Sequence, residues 1–137
     1  MSKLQAFLNP VATEVTEEVV ISNRFLDEEK KPVPFVVKGI TQEENNALIK
    51  RATTREKRNG QLVENLDRPK YQALLIQACV VEPDFCQKEL CDKYGVVDPL
   101  MVPARMLLSG EYANLVNAIM ETNGFQDPEN VEEEAKN

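Results

Sequence analysis

The sequence predicts an α+β fold that is mostly helical, with an N-terminal β-hairpin packed on a bundle of four or five helices. Residues 17–38 contain two β-branched, apolar runs separated by a polar stretch, which is typical of paired strands. From residue 41 onward, apolar residues recur at spacings of three and four, which is typical of amphipathic helices. The length of 137 residues and the hydrophobic content of 42% predict a single domain over 1–125.

Residues 1–12 form a short leader ahead of the hairpin. Pro10 limits any helix here to about two turns, which is too short to be stable alone in water. The leader therefore packs on its own domain or binds a partner. Its apolar side chains recur at helical spacing and are our candidate partner-binding residues: Leu4, Phe7, Leu8 and Val11.

The predicted hairpin pairs residues 17–22 with 33–38, and Phe25 and Leu26 extend its first strand. Pro32 and Pro34 have no N–H to donate to a neighbouring strand. We therefore expect the second strand to begin at a sheet edge. A two-stranded hairpin is marginal alone, so it must lie on the helices or on another chain.

The first predicted helix of the bundle covers 42–56 and begins at a capping box formed by Thr41 and Glu44. A polar loop at 59–61 follows. This helix would place three cations on one stripe: Arg51, Arg55 and Arg58.

The strongest core patterns predict helices over 70–81, capped by Asp67, and over 111–123. Between them we expect a helix that begins near Asp84, ends at Gly95, and has Cys86, Leu90 and Tyr94 on its inner face. A short helix within 101–108 completes the bundle. Gly124 is expected to end the last helix in a left-handed conformation, with Phe125 packed back on Met120.

The composition argues against catalysis and metal binding. There is no histidine, no glycine-rich phosphate loop and no nucleophile elbow, so we predict no catalytic, cofactor-binding or metal-binding residues. Three cysteines spaced C-x6-C-x4-C match no common zinc pattern. No apolar stretch is long enough for a signal peptide or a membrane span, so we expect a cytoplasmic protein with reduced thiols and no membrane partner.

The charge is strongly uneven along the chain. The formal net charge is −7, and residues 126–137 hold five acids and one base, which predicts a flexible, solvated tail. The basic run over 50–58 is the best case for nucleic-acid binding, although the negative net charge of the chain argues against this partner. The same cations could complement a helix dipole or meet the acidic tails of sister subunits.

Two blocks of residues, far apart in the chain, form a further pattern. The first runs Phe25-Leu26-Asp27-Glu28-Glu29, Pro32-Val33-Pro34-Phe35 and Gly39-Ile40-Thr41-Gln42-Glu43-Glu44-Asn45. The second runs Leu107-Leu108-Ser109-Gly110-Glu111-Tyr112, through Ile119, to Asn123-Gly124-Phe125. In order and spacing, over residues 4–125, the chain resembles the XkdN-like phage tail assembly chaperones of contractile-tailed phages and prophages.

The resemblance implies a non-catalytic cytoplasmic factor that is absent from the mature virion. Such chaperones keep the tape-measure protein soluble and help to recruit tail-tube subunits. The partners implied are therefore the tape-measure protein, the tail-tube protein and sister subunits. Two alternatives remain open: a small nucleic-acid-binding or regulatory protein that uses the basic residues at 50–58, and a structural virion component.

Overall fold

A three-stranded antiparallel sheet, a separate hairpin and a set of helices make up the computed structural model, which describes residues 3–11 and 15–125. Within these residues the helices are α1 (Lys3–Leu8), α2 (Gln42–Ala52), α3 (Arg68–Cys79), α4 (Lys88–Tyr94), α5 (Val102–Met106) and α6 (Ser109–Thr122). The strands are β1 (Thr16–Val19), β2 (Phe35–Lys38), β3 (Thr53–Arg58), β4 (Gln61–Leu66) and β5 (Val80–Glu82). A 3-10 turn over Pro99–Met101 precedes α5. The predicted α+β class is confirmed.

The three-stranded sheet has the order β1-β2-β5, so β2 is its central strand. In the β1–β2 pair, Thr16 lies opposite Lys38 and Val19 opposite Phe35. The prediction that the second strand begins at an edge is wrong, because both prolines precede Phe35 and every residue of β2 keeps its N–H. The strand β5, which directly follows α3, pairs antiparallel with the edge of β2 opposite to β1.

The connection between β1 and β2 is a folded loop and does not extend the first strand. Asp27 accepts hydrogen bonds from the backbone N–H groups of Glu29 (2.8 Å) and Lys31 (2.9 Å). The N–H of Val33 donates to the carbonyl of Phe25 at 2.8 Å. This loop brings the rings of Phe25 and Phe35 to a centroid distance of 6.1 Å.

The helix predicted over 42–56 ends at Ala52, and the chain continues as a β-hairpin. Thr53 opposite Leu66 begins a six-pair register that closes at a two-residue turn. Asn59 (φ 53°) and Gly60 (φ 79°) supply the positive φ angles that such a turn requires. The β-branched pair at 53–54 favours extended backbone over helix. The stripe of Arg51, Arg55 and Arg58 on one helix is therefore not formed.

The hydrophobic core lies between the sheet and the helices α3, α5 and α6. The predicted helices over 70–81 and 111–123 are present as α3 and α6, although Val80 belongs to β5. Their inward residues are almost fully buried together with one from β2 and one from α5: Leu74, Ile76, Leu115, Ile119, Val37 and Val102.

The helix α4 begins later than predicted. The Asp84 side chain accepts from the N–H of Cys86 at 3.0 Å in a turn, and Gln87 then precedes the helix. Because of this shift, Cys91 is buried and Cys86 is exposed, contrary to the prediction for Cys86. The helix ends at Gly95, as predicted, and this glycine is in the left-handed conformation.

The last described residues terminate α6. Gly124 has φ 85°, as predicted, and the N–H of Phe125 donates to the carbonyl of Met120 at 3.0 Å. The Phe125 side chain is about half exposed. The predicted acidic tail at 126–137, and residues 1, 2 and 12 of the predicted leader, lie outside the described residues.

Candidate partner-binding surface

The residues that carry the family resemblance form contacts within the fold. The guanidinium of Arg24, just ahead of the first block, donates to both carboxylate oxygens of Glu111, one of them at 3.2 Å. It also donates to the carbonyl of Met106 at 3.1 Å. Glu111 in turn accepts from the N–H of Leu108 at 2.8 Å. Hydrogen bonds from Arg24, then from Ser22 and Leu108, lower the pKa of Glu111 to about 2. Glu111 thus fastens the long β1–β2 connection to the start of α6.

Asn123 performs a similar role at the other end of α6. Its Oδ1 accepts from the N–H of Ile40 at 2.7 Å, and its Nδ2 donates to the carbonyl of Ile119 at 2.8 Å. Beside this contact, the Thr41 hydroxyl accepts from the N–H of Glu44, and the Glu44 carboxylate accepts from the N–H of Thr41. This is the predicted capping box. The motif residues therefore hold the sheet, α2 and α6 together.

Because Glu111, Asn123 and Glu44 are engaged in contacts within the chain, we look for partner surfaces among the apolar side chains that the core leaves exposed. The leader helix α1 is the first such surface. The helix carries three of the four candidate residues of the leader, and all four are exposed by 61% or more: Leu4, Phe7, Leu8 and Val11. No residue of α1 is buried within the described structure. The structure places Leu4, Phe7 and Leu8 on one short helix and Val11 three residues beyond its end, and their role in binding stays a prediction.

The β3–β4 hairpin is a second apolar surface, which the sequence interpretation missed. Leu62 and Leu66 are exposed by 59% and 44% and lie on the same face, since side chains alternate along a strand. Among the described residues, this hairpin forms a sheet of its own with two free edges. Asn59-Gly60 between β-branched and apolar residues was the signal that could have identified it.

A third surface is an open apolar groove of about 430 Å³ beside the folded loop. Its apolar walls combine loop residues with Phe35 at the start of β2, Pro83 directly after β5 and Met106 of α5. The residues that line it are Arg24, Phe25, Leu26, Val33, Pro34, Phe35, Glu82, Pro83 and Met106. Such a groove can accept apolar side chains of a partner, with one cation and one carboxylate at its border.

Neither a metal-binding cluster nor a membrane-spanning helix is present in the described part of the chain. Over 3–11 and 15–125, no three His, Cys, Asp or Glu side chains are grouped to hold a metal ion. Cys79, Cys86 and Cys91 are free thiols, and burial raises the pKa of Cys79. In the same residues, no helix has the length and apolar character needed to cross a membrane.

Comparison with known sequences identifies the protein family of this chain. The family model for the phage XkdN-like tail assembly chaperone protein matches residues 4–136, so the chain belongs to this family. The XkdN protein of the phage-like element PBSX in Bacillus subtilis (strain 168) is 40% identical over 137 residues, covering 96% of this chain and 93% of that protein.

A second relative adds a solved structure. The protein YqbN of Bacillus subtilis (strain 168) is 43% identical over 123 residues, covering 88% of this chain and 83% of that protein. The crystal structure of the protein YqbN matches this fold with a TM-score of 0.72 at 38% identity, covering 88% of this chain and 96% of that chain.

Proposed function

We propose that this tail assembly chaperone binds apolar segments of the tape-measure protein and keeps them soluble in the host cytoplasm. In this proposal it acts without catalysis, helps to recruit tail-tube subunits, and is absent from the finished particle. The observation that carries the proposal is the apolar face of α1, which stands exposed although the rest of the molecule has a well-buried core.

The mechanism follows from surface chemistry. A client segment that covers Phe7 and Leu8 removes their apolar area from water, and full burial of one such side chain contributes about 1.5–3 kcal/mol. The net charge of −7 then keeps the loaded complex in solution by mutual repulsion. The apolar hairpin face and the groove beside the folded loop offer further contacts for a long client.

The test is co-expression with the tape-measure protein of the same phage, measuring the soluble fraction of the client. The variant F7D/L8D places two carboxylates in the apolar face of α1 and is expected to lower the affinity at least tenfold and to precipitate the client. The control Q5D/N9D adds the same charge to positions outside the apolar stripe, so it is expected to retain the client. Equal client solubility with both variants would contradict the role of α1.

Two further measurements separate the alternatives. Specific retardation of DNA or RNA by the wild-type protein, weakening steeply with salt, would favour a nucleic-acid-binding role. Recovery of the protein in purified particles would favour a structural component of the virion.

A further inference from the structure

Seven of the sixteen cations of the chain lie within one segment of 21 residues. Residues 50–70, which we call the basic surface, comprise the end of α2, the β3–β4 hairpin and the start of α3. This segment has three carboxylates and seven cations, all of which are exposed: Lys50, Arg51, Arg55, Lys57, Arg58, Arg68 and Lys70. Its net charge is +4, so the remainder of the chain has a net charge of −11.

The three carboxylates of the basic surface already have partners within it. Glu64 pairs with Arg55 at 3.1 Å, and Glu56 pairs with Arg58 at 3.4 Å. Asp67 caps α3 by accepting from the backbone N–H of Lys70 at 3.1 Å. Elsewhere in the described residues, no carboxylate lies within ion-pair distance of the remaining cations of this surface. An excess of positive charge on an acidic protein therefore faces solvent.

We propose that the acidic C-terminal segment 126–137 of the same chain binds to the basic surface. This segment carries five carboxylates and one lysine, and three of the carboxylates are consecutive at Glu132-Glu133-Glu134. Its net charge of −4 matches the +4 of the basic surface. This contact joins two segments of the same chain, so it does not require a particular client protein.

The position at which the described chain ends permits this contact. Phe125 lines one small groove together with Gln42 and Asn45 of α2. Asn45 accepts a hydrogen bond from the hydroxyl of Tyr71, so the first turn of α3 is adjacent. From Asn45 to the end of α2 the helix rises about 10 Å. Twelve extended residues span up to ~40 Å, which is ample to reach Arg51, Arg68 and the base of the hairpin.

The test uses backbone amide NMR spectra of the full-length protein. The variant E132Q/E133Q/E134Q removes three charges from the segment, and the control E28Q/E29Q/E89Q removes three from exposed sites outside the basic surface. We expect E132Q/E133Q/E134Q, but not the control, to shift the amide resonances of 50–70.

Two further measurements test the electrostatic origin of the contact. Raising NaCl to about 1 M, where the Debye length falls to ~3 Å, should move the wild-type resonances in the same direction as the variant. Combining E132K/E133K/E134K with K50E/K57E/K70E is expected to restore the contact.

Three results would overturn the proposal. Amides of 50–70 that respond no more to E132Q/E133Q/E134Q than to the control would show that the segment does not bind there. Shifts that increase with protein concentration would assign the contact to the segment of a second copy. The third result is a set of amide resonances of 50–70 that are unchanged in E132Q/E133Q/E134Q and yet shift when a short DNA duplex is added at about 0.15 M salt. That result would show that the basic surface binds nucleic acid instead.

Discussion

Glu111 shows how one side chain of the family motif serves three contacts. Its carboxylate accepts hydrogen bonds from Arg24, from Ser22 and from the N–H of Leu108, and its low pKa reflects all three. From the sequence alone, a glutamate at the start of α6 would suggest a solvent contact, yet the Glu111 side chain is only 14% exposed. The long-range partner, 87 residues away in sequence, is visible only in the folded chain.

The lowered pKa of Glu111 predicts a specific response to acid. Above about pH 4.5 the group is ionised in both the folded and the unfolded chain. As the pH falls, the unfolded chain is protonated first, while the folded chain resists protonation until about pH 2. The stability that this group contributes is therefore complete above the unfolded pKa and is lost through this window.

The variant E111Q is expected to unfold at lower urea concentration at neutral pH and to show a smaller loss of stability between about pH 4.5 and 2. The measurement is a series of urea titrations followed by circular dichroism. The variant E89Q, which removes a carboxylate from an exposed site on α4, controls for the loss of one charge. An acid dependence of E111Q as steep as that of the wild type would contradict the prediction.

At the scale of elements, signals from neighbouring residues predicted helix caps and buried faces, but they did not predict where α2 ends or which strand is central in the sheet. The capping box at Thr41, the cap at Asp67 and the glycine at 95 depend on residues close in sequence, and all are present. The stop of α2 at Ala52 was missed because polar residues at 53–58 fit both a solvent-exposed helix and a strand. The central position of β2 depends on β5, which lies more than 40 residues away.

The candidate surface was predictable to a similar extent. The apolar spacing of the leader identified Leu4 and Phe7, whereas Leu62 and Leu66 share a face because side chains alternate along β4. Their spacing of four also fits one face of a helix, so the pattern did not distinguish the two structures. The groove beside the folded loop combines residues of three distant segments, so no sequence window contains it.

The β3–β4 hairpin should respond to its turn glycine in a way that a helical glycine does not. A Cβ on Gly60 or on Gly110 would meet no atom within 4 Å, but only Gly60 has a positive φ, of +79°. G60A is expected to destabilise the hairpin by about 1 kcal/mol, because an L-residue is strained in this conformation. G110A, in α6, is expected to stabilise the helix by about 0.5–1 kcal/mol.

Amide hydrogen exchange measures the two effects where they act. The amides of 53–58 and 61–66 should exchange roughly fivefold faster in G60A, which corresponds to about 1 kcal/mol. The same amides should keep their wild-type rates in G110A. Unchanged protection of the hairpin in G60A would mean that the turn does not determine its stability.

On the scale of the whole molecule, the apolar residues divide into two sets with different consequences for stability. The core set is enclosed between the sheet and the helices, and Leu115 and Ile119 are fully buried there. The second set consists of the exposed leader residues Leu4, Phe7, Leu8 and Val11, which contribute almost nothing to the free energy of folding. A protein that binds apolar clients needs both sets, since the first holds the fold while the second remains available.

This division predicts opposite results for two groups of substitutions. L115A is expected to lower the free energy of unfolding by about 2–5 kcal/mol, because it leaves a cavity in the core. L4A/F7A/L8A/V11A is expected to change the free energy of unfolding by less than about 0.5 kcal/mol, because these side chains are exposed. The control L108A, also at an exposed side chain, is expected to have an equally small effect. Urea unfolding gives these values, and co-expression with the tape-measure protein gives the client's soluble fraction. The leader variant should lose the client while keeping its stability, whereas L108A should keep both. A large loss of stability in the leader variant would show that α1 packs on the domain in solution.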